Sequence, residues 1–199
     1  MLLSRILAVS GLPLAFAVPL CPYQNGTTNG IMACDLGIVH QPVNALTPPS
    51  PDMRLILVAR GEGTQNFSCA TPASIPTAIG AIAELFNASC AVANPDVAQN
   101  NMVQAASIGN HYFSDLTTPD FNIASLGNTK TKKVEEVAAP NPGTDIKWLK
   151  LHAQSNSTNQ VKYIYRLNTV GGLAPTSCAG RSDGEVVTVQ YQAQYWIYS

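Results

Sequence analysis

Few residues of this chain can move a proton, attack a carbonyl or hold a metal, and their spacing narrows the choice. The histidines are His40, His111 and His152. No His-x-His or Cys-x-x-Cys spacing joins them into the local pattern of a metal site, so no metal is expected. His111 is the most informative, lying between Gly109-Asn110 and Tyr112-Phe113. With Gln65 and Arg166 from other strands it makes the candidate polar, catalytic site. The plainer reading, a histidine that hydrogen-bonds a loop backbone, is preferred. Arg166 could clamp an acidic ligand if it pointed inward. Paired with a carboxylate or exposed, it would be structural only.

Other strings fail on context. Gly180-Arg-Ser-Asp-Gly184 fits the G-x-S-x-G of a nucleophile elbow, which follows a strand and opens a helix. Here a Pro/Ser loop precedes it, a strand follows, and no His or Asp comes after Gly184. A polar hairpin turn is the better reading. Gly61-Glu-Gly63 has Asn66 in the third glycine place and a strand after it. A dinucleotide site needs three glycines between strand and helix. Gly61 and Gly63 therefore read as turn glycines, and no cofactor is expected. Glu62, Glu84, Asp115 and Asp120 could supply a glycosidase pair, but nothing in their spacing selects two. Trp148, Trp196 and Tyr195 are candidates for an aromatic platform against sugar rings, although packing is the commoner role at strand spacing.

The amino terminus sets the compartment in which these residues work. Arg5 precedes an apolar run that ends in Ala15-Phe16-Ala17, the small-x-small pattern of signal cleavage. Residues 1–17 read as a signal peptide, too short for a membrane anchor, and localisation is expected to be extracellular. No later apolar run approaches the roughly 20 residues of a transmembrane helix. Charged residues make up 12 % of the chain. Losing Arg5 leaves it slightly acidic, without the basic footprint that nucleic acid requires. Lys130-Thr-Lys-Lys133 reads as a solvated loop.

An oxidising compartment makes two bridges from Cys34, Cys69, Cys90 and Cys178 the expected state, with Cys21 left over near a frayed terminus. Four cysteines allow three pairings, and the spacing does not choose. Sequons lie at Asn25, Asn66, Asn87 and Asn156. Those at Asn66 and Asn87 sit just before a cysteine, so Asn25 and Asn156 are the expected glycosylation sites.

The elements that must position these groups follow from pattern. Residues 18–52 contain Thr47-Pro-Pro-Ser-Pro51 and read as an extended lead-in. Arg54–Ala59 reads as a buried strand and Thr64–Cys69 as a second. Over 75–86, Ile75, Ile79, Ile82 and Phe86 share a helical face, yet Pro76 and Gly80 oppose a helix and a strand of small residues is the alternative. Asn94-Pro95-Asp96 starts a helix that runs to about Ser107. Asp145–His152, Val161–Asn168 and Val187–Tyr198 read as strands, the last two with clear period-two alternation. Gly171-Gly172 and Asp183-Gly184 supply turns. The expected fold is mainly β: a single antiparallel sandwich or barrel-like domain over 53–199 with one peripheral helix.

Several strings occur together in order: Gly63–Cys69, Gly109-Asn-His-Tyr-Phe113, Lys147-Trp-Leu-Lys-Leu151, Val161–Thr169, Gly171-Gly-Leu-Ala-Pro175, Cys178 and Tyr191–Tyr198. From about Arg54 onward the chain resembles an uncharacterised family of secreted fungal proteins, with bacterial relatives, often automatically labelled "malate dehydrogenase". The resemblance implies a secreted fungal protein. It also implies that Cys69 and Cys178 are family cysteines, which favours their bridge. It supplies no activity, and the glycine pattern above argues against NAD-dependent malate oxidation. The expected function is non-catalytic binding of a wall glycan, a surface or a host partner. The alternatives are an extracellular enzyme, such as a hydrolase, built around His111, and a structural wall-associated protein. Neither nucleic acid nor, once the leader is cleaved, membrane is an expected partner.

Overall fold

Strand follows strand along this chain because apolar and polar residues alternate at period two, with β-branched and aromatic residues on the buried face. The computed structural model describes residues 20–22, 31–95 and 103–199. The expected leader, the Asn25 sequon and the span 96–102 lie outside them. Strands β1 (Leu20–Pro22) and β2 (Ile31–Ala33) pair only with each other. The others are β3 (Leu55–Cys69), β4 (Thr77–Asn87), β5 (Ser107–Phe113), β6 (Pro119–Ile123), β7 (Gly127–Val137), β8 (Trp148–Ala153), β9 (Tyr163–Gly171) and β10 (Glu185–Tyr198). Each is antiparallel to the next, and β10 returns to β3, so these eight strands close a barrel.

Some elements differ from the sequence reading. The two short strands expected over 54–69 are one 15-residue strand, β3. Gly61 and Gly63 therefore lie in mid-strand, not in a turn. A Cβ at Gly61 would come within 2.5 Å of Cε2 of Tyr195, so this glycine makes room for a ring inside the barrel. The ambiguous segment is β4, the strand alternative: Ala81, Ala83 and Leu85 point inward, while Ile82 is 60 % exposed. Lys130–Lys133 belongs to β7, where Thr131 is fully buried, and is not a loop. The α-helix among the described residues, α1 (Ser89–Ala93), ends where one was expected to begin. Asn94 closes it, with both its backbone N–H and its side-chain amide donating to the Cys90 carbonyl. Residues 103–106 carry no helix.

Both sides of the wall are packed. The lumen holds Leu57, Leu85, Phe121, Ile123, Leu151, Ile164, Tyr195 and Ile197. A second cluster lies outside β8, β9, β10 and β3, where Val58, Trp148, Tyr165, Leu167, Trp196 and Tyr198 are covered by Leu46. That leucine belongs to the lead-in, a strap whose described residues make polar contacts with the barrel. Thr47 N–H donates to Glu135 at 2.8 Å, the Tyr165 hydroxyl donates to the Thr47 carbonyl at 2.9 Å, and the Gln41 amide reaches the Tyr198 hydroxyl at 3.1 Å. Cys34–Cys90 ties the start of the strap to α1, and Cys69–Cys178 ties the end of β3 to the loop before β10.

Candidate functional site

Register places the candidate residues. Antiparallel partners share a face, and Ala83 pairs with His111, His111 with Phe121, and Tyr195 with Arg166. Ala83, Phe121 and Tyr195 line the lumen, so His111 and Arg166 point inward too. Gln65, two residues from Gly63 on β3, lies on the same face; its Cγ is the neighbour a Cβ on Gly172 would meet at 3.1 Å. The three candidates therefore share one lumen, although no direct hydrogen bond joins them among the described residues.

His111 is 3 % exposed. Its ring stacks on Phe121 with centroids 4.2 Å apart and lies 5.4 Å from the Tyr195 ring. Nδ1 is 2.9 Å from the Asp120 carbonyl, which only accepts, so Nδ1 carries the proton and Nε2 is the basic nitrogen. Burial lowers its pKa to about 4, and the Arg166 charge adds to the effect. The imidazole is thus neutral near neutral pH. The bond to a backbone carbonyl matches the plainer sequence reading, except that the carbonyl belongs to a paired strand.

Arg166 donates from Nη2 and Nε to the Lys147 carbonyl, at 2.9 and 3.3 Å. Tyr191 and Tyr195, four apart on one face of β10, share a hydrogen bond of 2.8 Å between their hydroxyls. Burial pushes both phenols above their ordinary pKa, so both are neutral, and in their shared bond one donates while the other accepts. The sequence reading took Tyr191 only as an apolar member of the alternation; its i, i+4 spacing to Tyr195 on an inward face was the available signal. Gln65 Nε2 is buried and finds no hydrogen-bond partner among the described residues.

The aromatic candidates do not form a platform. Trp148, Trp196 and Tyr195 are 4 %, 1 % and 0 % exposed. Tyr195 fills the lumen, while the two tryptophans lie beneath the strap on the opposite face of the wall. A sugar ring needs an open aromatic face, and none of the three presents one. Gly180–Gly184 precedes β10 directly, and its Arg181 and Ser182 bind Glu185. Asn156 is exposed at a turn between β8 and β9. Asn66 lies within β3, and Asn87 accepts from Ser89 N–H beside buried Ala88. Among the described residues no group of three or more His, Cys, Asp or Glu could hold a metal.

The family model described as Protein of unknown function (DUF3455) matches residues 49–199, the barrel together with the end of the strap. No curated protein and no solved structure matches the chain.

Proposed function

The chain belongs to the DUF3455 family of proteins of unknown function, and we propose that it acts as an exported, disulfide-braced barrel that binds a wall glycan or another surface without turning it over. The observation that carries this reading is the filled lumen. A barrel of eight strands has room either for its own side chains or for one small ligand, and here Phe121, Ile123, Ile164 and Tyr195 occupy that room. A substrate would have to reach a histidine that is 3 % exposed. Recognition therefore falls to the outer wall and the loops. Export is supported by the leader pattern over 1–17 and by two bridges, which persist in oxidising compartments. Among the described residues no helix is long and apolar enough to cross a membrane. On this reading the mature protein is the strap over 18–52 followed by the barrel over 53–199, with Asn156 as the glycosylated sequon of the barrel.

The test uses protein secreted with its own leader and incubated with insoluble β-1,3-glucan, chitin and cellulose. Retention in the pellet with no soluble product is expected. Turnover of a polysaccharide, or malate-dependent reduction of NAD, would overturn the reading. Neither retention nor turnover would favour a structural wall-associated role. The competing enzyme reading has one observation in its favour: Gln65 Nε2 is buried and unpartnered in the lumen that holds the basic His111 Nε2. It requires product release that His111→Gln abolishes.

A further inference from the structure

One line of side chains runs around the outside of the barrel at a single height. Register pairs Gln192 with Glu62, Glu62 with Glu84, Glu84 with Asn110, and Asn110 with Asn122. Their chain neighbours Tyr191, Ala193, Ala83, Leu85, His111, Phe121 and Ile123 are buried on the inward face, so the five point outward. At about 4.8 Å between strands, the row covers about 19 Å of wall.

The chemistry of the row is selective. Each amide offers two donors and an acceptor. Gln192, Glu84, Asn110 and Asn122 are exposed, and among the described residues no hydrogen bond or ion pair engages their side chains. Glu62 is neutralised by Arg60 at 2.7 Å. Glu84 is therefore the one carboxylate of the row left uncompensated, which disfavours an anionic partner and gives little hold on a cationic one. Ile82, 60 % exposed, and the half-buried Tyr112 lie on the same outer face beside the row. At the row every strand is paired on both sides, so a ligand there meets side chains rather than a free strand edge. Hydroxyls that both donate and accept, together with C–H faces, meet all of these conditions in one uncharged polymer.

We propose that the row Gln192, Glu62, Glu84, Asn110 and Asn122 binds a linear, neutral polysaccharide laid across the strands. This rests on the binding reading above and names its site and ligand class.

The test is co-sedimentation of the mature protein with insoluble β-1,3-glucan, chitin and cellulose. The variants are the triple Gln192→Ala, Asn110→Ala, Asn122→Ala and a control pair, Lys132→Ala with Lys162→Ala, on exposed positions of β7 and just before β9. Three amide contacts predict at least about tenfold weaker retention of the triple variant on whichever polymer holds the wild type, and no change for the control. Should the triple variant melt early, Gln192→Ala and Asn122→Ala singly should each weaken retention about threefold. Retention that survives these changes overturns the row and leaves the binding reading standing. A wild type that stays in solution with all three polymers also overturns it, as does a dimer that the triple variant abolishes, which would make the occupant a second copy. The binding reading itself falls if turnover is seen, and gives way to the structural role if neither retention nor turnover is seen.

Discussion

His111 is held as a neutral imidazole by Phe121, Tyr195 and the Asp120 carbonyl, and this has a consequence for acid stability. Its pKa moves from 6.5 to about 4 on folding. Between those values the unfolded chain binds more protons, so the stabilisation is full above pH 6.5 and is lost as pH falls toward 4. The size is on the order of 3 kcal/mol. Asp115 is lowered to about 2 by hydrogen bonds from Thr117 and Thr118, and Glu136 to about 2 by Lys133 and Lys147. Their contributions are lost only as pH falls from 3.8 and 4.5 toward about 2, below most of the histidine window. The wild-type urea midpoint should therefore drop between pH 6.5 and 4.5, and His111→Gln should flatten that drop. Parallel profiles would contradict this account of the lumen.

At the scale of elements, the strap is the part that local pattern described least. Thr47-Pro-Pro-Ser-Pro51 speaks against helix and central strand, but nothing local said that Leu46 would pack with Trp148, Tyr165 and Trp196. Both tryptophans of the chain lie in that cluster, so intrinsic fluorescence reports on it. Leu46→Ala should cost about 2–5 kcal/mol and shift tryptophan emission to the red at lower denaturant than in the wild type. An unchanged transition would mean that the strap does not brace the barrel. The strands of the last third were legible because Val187–Tyr198 alternates cleanly over a long run. The join of 54–59 to 64–69 was not, because Gly61 and Gly63 look like turn residues until Tyr195 is known to need the space across the lumen. The use of Asn94 was hidden for a similar reason. Asn94-Pro95 carries a start signal, yet Cys34–Cys90 anchors the preceding turn and Asn94 is used to end it.

At the scale of the whole molecule, the mainly β, antiparallel architecture was readable from periodicity, while barrel closure depended on the pairing of β10 with β3. The same limit governs the site. Sequence could nominate His111, Gln65 and Arg166, but only register puts them on one inward face. Only register, again, puts Gln192, Glu84, Asn110 and Asn122 in one outward row, although they come from four strands and lie up to 108 residues apart in sequence. The account divides the barrel into an inside that stabilises and an outside that recognises. Nuclear magnetic resonance of the labelled mature protein, titrated with a soluble β-1,3-glucan oligosaccharide, tests that division directly. The side-chain amide signals of Gln192, Asn110 and Asn122 should move while the His111 ring and the Gln65 amide stay fixed. Movement of His111 and Gln65 with a silent outer row would contradict it.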